Sequence, residues 1–404
     1  MRSFRLALIA ILVAFVPVAS AQRGDQPPAP PPAAAQIDEG IKTMVGRLEL
    51  DKYRDTVKGL TQFGDRREGT DRNRAAVDWI EARLKSYGCA TDRIHYEYMT
   101  PPPNPNAAGR GRGTSGLSQG GGRPRGVRGR TGVNTDPMKQ PDERIRQIDT
   151  PPAVDGPREA VYCTKVGTTH PEEMYIVSGH MDGHGWGEAA NDDGSGTALV
   201  MEVARVFSMP DVTTERTIRF ALWNNEETGS QAAQAYINQR QALQGKEDPP
   251  GSGKYPEPKW LGMVQHDMMM FDHGAPNADG TMNKEQRPEA DVNIEFQSAS
   301  KKAMESMMLA WQFHLANERY ATDYPAQVGP HMTNTDSRPF QDIIPSISLR
   351  ENERGTQIGS GWDPQWHQPT DVFTTYTEKD FRLGLNAAQT TLGAIATLTG
   401  AKLK

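Results

Sequence analysis

The residues of this chain that could do chemistry gather in a few short motifs. The stretch YIVSGHMDGHGWGEAANDDGSG, Tyr175 to Gly196, runs from an apolar segment into His180, Asp182, Asp192 and Asp193. Further along, WNNEETGS brings Glu226 and Glu227, QHDMMM brings Asp267, and WDPQWHQPTD brings His367 and Asp371. Imidazole nitrogens and carboxylate oxygens are the donors that divalent ions of the zinc type take. A carboxylate is a natural bridge, because each of its oxygens can serve one ion. Two ions about 3.5–4 Å apart can clamp both the attacking and the departing oxygens of a hydrolysis. One more carboxylate, outside the ligand set, is then needed to move protons.

Each motif alone is ordinary. A His-x-Asp pair is commonly a hydrogen-bonded loop, and a Glu-Glu pair is commonly a solvated turn. His266 and the run Met268 to Met270 read as strand packing, and His184 and His273 as loop residues without a special role. What gives the set meaning is its common placement behind apolar runs.

Those runs define the elements that must position the site. EMYIVSGH, TIRFALWNN, WLGMVQHDM and IPSISLRE read as strands, and REAVYCTKVG opens this ordered part. Helical patterns such as GTALVMEVARVFSM and SQAAQAYINQ separate most of them. Strands alternating with helices predict an α/β chain whose largely parallel sheet is covered on both faces. In such sheets functional groups gather at the carboxyl ends of the strands, where these acids and histidines fall. Upstream, TDRNRAAVDWIEARLKSYG predicts a helix capped by Thr70 or Asp71 and ended by Gly88, and DRIHYEYM a strand after it.

The motifs GHMD, NDDGSG, FALWNNEETGS, a post-strand HD and WHQPTD, in this order, resemble the dizinc exopeptidase family of bacterial leucyl aminopeptidases, aminopeptidase Y and plasma glutamate carboxypeptidase, with glutaminyl cyclases as a divergent branch. The resemblance covers the chain from about Leu60 to its end, apart from one insertion. It implies a three-layer α/β fold with a mixed, mostly parallel central sheet and helices on both faces. It also implies two zinc ions: Asp192 as the bridge, His180 and Asp267 completing one position, Glu227 and His367 the other. Glu226 matches the general base, and Asp182 the carboxylate that orients His180. The family pattern makes Asp192–Asp193 a candidate cis peptide. Two departures stand out: the family's Ser-Asp-His before a PF pair reads TNTDSRPF here, and Asp267 follows His266.

The activity so implied is release of N-terminal residues from peptides. The alternatives are a carboxypeptidase or dipeptidase of the same family, a glutaminyl cyclase, and a non-catalytic binding ectodomain. Trp362, Trp366 and Phe373 flank His367, where they either line a side-chain pocket or pack the last loop on the sheet. Arg338 and Arg350 could instead grip a substrate carboxylate.

Composition narrows partners and compartment. Arg2 and Arg5, the apolar run LALIAILVAFV and the exit ASA predict a signal peptide over residues 1–21, followed by a Pro/Ala-rich linker at 22–36. The apolar run is short against the roughly 20 residues that span a bilayer, so the mature chain is expected in a periplasm or outside the cell, without stable membrane insertion. Loss of Arg2 and Arg5 takes the formal net charge from −6 to −8, which speaks against polyanion binding. Within 37–404 lies an insertion at about 100–155, with six arginines from Arg110 to Arg130 and many glycines. It reads as disordered rather than RNA-binding, since it offers no aromatic residues for bases to stack on. Peptides are the expected partners, not nucleic acid, and oligomeric state leaves no trace. The two cysteines are too few for a disulfide scaffold. If the strands of Cys89 and Cys163 pair antiparallel, the two sulfurs meet; otherwise they are two unrelated buried thiols.

Overall fold

In the computed structural model, residues 37–102, 132–273, 285, 290–330, 335–351 and 363–404 are described. The signal-peptide and linker expectations, the arginine-glycine part of the insertion and Trp362 all lie outside these residues. The helices are α1 (Glu39–Val45), α2 (Leu50–Thr61), α3 (Asp71–Ser86), α4 (Glu143–Asp149), α5 (Gly194–Phe207), α6 (Gln231–Arg240), α7 (Ala303–Tyr320) and α8 (Glu378–Thr399). The strands are β1 (Ala90–Tyr98), β2 (Gly156–Lys165), β3 (His170–His180), β4 (Val212–Thr213), β5 (Arg216–Trp223), β6 (Lys259–His266), β7 (Val292–Phe296), β8 (Ala326–Gly329), β9 (Ser346–Arg350) and β10 (Lys402–Leu403).

Eight strands form one mixed sheet in the order β1-β2-β5-β3-β6-β9-β7-β8, while β4 pairs with β10. The centre, β5-β3-β6-β9, is parallel. The flanks β1-β2-β5 and β9-β7 are antiparallel. The expected mixed, mostly parallel sheet with helices around it is therefore the fold observed. β5 is buried almost throughout and β3 along its second half, as strands covered on both faces must be.

The α5 helix is apolar nearly all round and is buried except at Arg205. Its Phe207 packs on Phe220 of β5 at 5.9 Å between ring centroids, and truncating either ring to Ala would cost about 3–5 kcal/mol. The start of this helix lies hard against β6: a Cβ on Gly196 would fall 2.5 Å from the His266 carbonyl oxygen. Only glycine allows that approach, and the approach sets the helix terminus beside the strand ends. Thr70 caps α3 by accepting from the Asn73 N–H, as one of the two expected caps.

β1 and β2 pair antiparallel with Thr91 opposite Cys163. The start of one thus meets the end of the other, and Cys89 and Cys163 form a disulfide with Cα atoms 5.7 Å apart.

One expectation needs correction. Composition predicts a disordered insertion at about 100–155, outside the fold, yet its second part is built into the structure, with a turn of 3-10 helix at Pro137–Lys139 and then α4. Asp142 caps α4 by accepting from Arg144 and Ile145, and Ile145 is buried. The arginine-glycine composition that suggested disorder ends at Arg130, and beyond it the sequence carries caps and an apolar anchor. No described helix is long and apolar enough to cross a membrane.

Candidate metal centre

Three parallel strands deliver the site. β3 ends at His180, β5 ends at Trp223 just before Glu226 and Glu227, and β6 ends at His266 just before Asp267. Their common direction brings these ends to one edge of the sheet. The loop from 181 to 193 returns to α5 and carries Asp192, and the loop after 363 brings His367 over from the far side of the chain.

Asp192 lies between two clusters. His180 Nε2 is 3.3 Å from Asp192 Oδ1 and 3.9 Å from Asp267 Oδ2. His367 Nε2 is 2.9 Å from Asp192 Oδ2 and 2.9 Å from Glu227 Oε2. Each histidine therefore faces a different oxygen of one carboxylate. Two donor groups close enough to hold an ion emerge: His180, Asp192 and Asp267; and His184, Glu227 and His367. All five expected ligands take part, and His184, read as a bystander, joins them.

The donor chemistry fits zinc. His180 Nε2, His184 Nε2 and Glu227 Oε1 are buried without a hydrogen-bond partner, a condition that a folded chain rarely tolerates for polar atoms. The other His180 nitrogen, Nδ1, faces the Asp182 carbonyl oxygen at 3.0 Å, which directs Nε2 inward.

Asp182 does more for its neighbours than for His180. Its carboxylate is 3.7 Å from His180 Nδ1, but it accepts the backbone N–H of Glu226 at 3.1 Å and of Glu227 at 3.3 Å. It therefore fixes the segment that carries the expected base and one expected ligand. Asp193 plays the matching role across the sheet, accepting from the N–H groups of His180, Gly196 and Met268. The Asp192–Asp193 peptide is cis, as the family pattern implied. Asp371 accepts the Asn191 and Asp192 N–H groups at 2.8 and 3.1 Å, so the His367 loop holds the bridge candidate by its own backbone. Burial, followed by the charge of Asp363, pushes the Asp371 carboxyl up to about 7.

The carboxyls divide electrostatically. Burial raises Glu226 well above the ordinary range, and the negative Glu227, Asp336 and Asp267 add to the effect against the opposing pull of His180. Burial opposes ionisation of Glu227 too, but His184 and His367 outweigh it and hold this carboxyl at about 2. Asp267 is likewise held low, against burial, by Arg350 and His180. Glu226, a carboxyl suited to carrying a proton, thus stands beside Glu227 and Asp267, which are kept ionised.

Several positioning residues were not visible in the sequence. Arg66 is fully buried and donates to the carbonyls of Met181, Gly64, Glu188 and Ala189, which pins the loop behind β3. Asn134 and Gln140 come from the supposed insertion. Asn134 N–H donates to the His367 carbonyl, and Gln140 Nε2 donates to the carbonyls of Trp186 and Pro369. His184 could have been noticed, since it continues the alternation of His180 and Asp182 in HMDGH.

Other candidates fall elsewhere. Arg350 is buried and bonded to Asp267 Oδ2 at 2.7 Å, so it cannot serve as a free anchor for a substrate carboxylate; Arg338 is exposed. Phe373 packs on Phe381 at 5.3 Å, on the core side, whereas Trp366 stacks on His367 at 3.8 Å. His266 is bonded through both nitrogens, to the Ser178 carbonyl and to Thr391 Oγ1, in keeping with a packing role.

Comparisons with known proteins agree with this arrangement. Carboxypeptidase Q of Xenopus laevis is 38% identical over 71 residues, which is 18% of this chain and 15% of that protein. Carboxypeptidase Q of Rattus norvegicus is 36% identical over 76 residues, 19% of this chain and 16% of that protein. The matched stretch thus spans under a fifth of these relatives. Among solved structures, the aminopeptidase from Aneurinibacillus sp. strain AM-1 superposes with a TM-score of 0.57 at 17% identity, over 90% of this chain and 97% of that one. BSAP, a zinc aminopeptidase from Bacillus subtilis, gives 0.57 at 12% identity, over 87% and 95%. Porphyromonas gingivalis glutaminyl cyclase gives 0.53 at 16%, over 87% and 99%. At such identities the likeness is one of fold. The decisive match is at the level of the family: residues 161–388, more than half of the chain and the part that carries every candidate metal ligand, match peptidase family M28, and the chain belongs to that family.

Proposed function

We propose that this chain is an exported dizinc exopeptidase that releases residues from the free amino terminus of peptides. The observation that carries the proposal is the convergence of two donor groups on opposite oxygens of Asp192, with Glu226 next to one of them in sequence. His180 and Asp267 would hold one ion, Glu227 and His367 the other, and Asp192 would bridge them. Bound zinc supplies Lewis acidity and brings the pKa of water to about 7.

The rest falls to the chain's own groups. Glu226 takes the proton of the attacking water and returns it to the departing amine, a task to which its raised pKa is suited. Asp182 holds Glu226 in place through its backbone. Trp366, stacked on His367, would offer an apolar surface to the substrate's first side chain.

A carboxypeptidase or dipeptidase is the second reading, favoured by the similarity to carboxypeptidase Q. Arg350 gives it no support, because its charge is taken up by Asp267. A cyclase shares the fold alone, and a binding ectodomain would have no use for a complete donor set beside a raised carboxyl. Export is supported by the Cys89–Cys163 disulfide, a bond that persists in oxidising compartments.

The test is hydrolysis of a panel: aminoacyl-nitroanilides with free and with acetylated amino termini, together with dipeptides, each with chelator and after zinc restoration. Turnover confined to free-amine substrates, lost to chelator and restored by zinc, is the expected result. Turnover confined to dipeptides, or at the carboxyl end of acetylated peptides, would replace the aminopeptidase by the second reading.

A further inference from the structure

The two sides of the centre are unequal, and the inequality lies in a residue outside the family's ligand pattern. His184 Nε2 sits 3.1 Å from Glu227 Oε2. Its ring meets that of His367 edge to face, with centroids 4.1 Å apart. Although close to the carboxylate, Nε2 is buried without a hydrogen-bond partner, and the side chain as a whole is only 18% exposed. A neutral imidazole that turns the Nε2 lone pair this way meets the same space as Glu227 and His367, where a shared cation would satisfy all three.

The loop is built to keep it there. Gly185 has φ 109°, and a Cβ at this position would fall 2.5 Å from the His367 carbonyl. The backbone next to His184 is thus seated directly on the backbone of His367. Asn134 ties the two loops by bonding to both, through the His367 carbonyl and the Gly185 carbonyl. Gln140 repeats the tie one step further, between Trp186 and Pro369.

The geometry points to His184 as a fourth protein ligand on the Glu227–His367 side, an assignment that rests on the dizinc reading above. That side then offers His184, His367, Glu227 and a shared Asp192, the four protein donors of a closed tetrahedral position. Among the described residues the other side offers His180, Asp267 and the shared Asp192, and so retains the open position that a substrate carbonyl needs. Asp267 also shares its Oδ2 with the Arg350 guanidinium at 2.7 Å, a fixed cation that competes with any metal there. The His184 side fills first and tightly; the His180 side fills second and faces the substrate.

Zinc titration of the full-length, metal-stripped protein against a chromophoric chelator tests this, with cobalt absorption reporting the coordination of each equivalent. The wild type is expected to bind two ions in two steps. His184→Ala and the isosteric His184→Gln should weaken the first step by at least about tenfold, the lower end of what changes beyond the ligand shell produce, and leave the second alone. His367→Ala should weaken the same step. The first cobalt equivalent should lose its intense four-coordinate absorption in the His184 variants. Two unchanged steps in both His184 variants, with His367→Ala still impaired, would overturn the His184 assignment and leave the dizinc reading standing. Equal loss of both steps in His184→Gln would make the residue a scaffold rather than a ligand, and would also overturn it. Failure of the wild type to bind zinc, or full binding by His367→Ala, would sink the dizinc reading itself.

Discussion

The two halves of the metal centre are made in different ways. His180 closes β3, and Asp267 follows β6 directly, so this half is positioned by paired strands and by Asp193, which accepts the backbone N–H groups of His180 and of Met268, next to Asp267. The half made of His184, Glu227 and His367 rests on three loops, fastened by Asp182, Asp371, Asn134 and Gln140. A strand end is held by ladder hydrogen bonds that the sheet needs in any case. A loop is held only by contacts dedicated to it, and those are separable from the fold. The strand half should therefore resist surface mutation, while the loop half can be loosened from a distance.

The largest effect should come from the residue both halves share. Asp192→Ala should empty both positions, with bound zinc near zero by elemental analysis and no turnover; a variant that retains two ions would refute the bridge. Next is the group that belongs to neither half as a ligand. Glu226→Gln should keep its zinc while kcat falls by about 10²–10⁴, the range of general acid–base catalysis; equal loss of metal would make Glu226 a ligand. The smallest effect isolates the loop half. Gln140→Ala leaves the Trp186 and Pro369 carbonyls without their buried donor, at a cost of about 1–3 kcal/mol per unsatisfied group. Chemical denaturation should register that loss, and zinc titration should show weaker binding on the His184 side alone. Equal weakening of both steps would erase the distinction between the halves.

Much of this centre was legible in the sequence because its chemistry is local. A carboxylate or imidazole directly behind an apolar run must lie at the carboxyl edge of a parallel sheet, so His180, Asp267, Glu226 and Glu227 followed from strand patterns and motif order. The meeting of Cys89 and Cys163 followed, as one of two readings, from strand direction. His184 is not legible as a ligand, because a histidine two residues beyond Asp182 in a loop looks the same in sequence whether it faces solvent or an ion. Arg350 stays ambiguous in the sequence for a related reason: charge is visible there, but burial beside Asp267 is not.

The sequence by itself determined the element types, the sheet edge where the acids and histidines collect and the family to which their order belongs, because hydrophobic period and short motifs are properties of neighbouring residues. Tertiary structure alone decided which oxygen of Asp192 each histidine faces, that Asp182 holds the backbone of Glu226 and Glu227, and that residues 132–155 brace the His367 loop. Those are contacts between segments far apart in the chain. Their geometry is set by the packing of the whole sheet, and no local spacing encodes it.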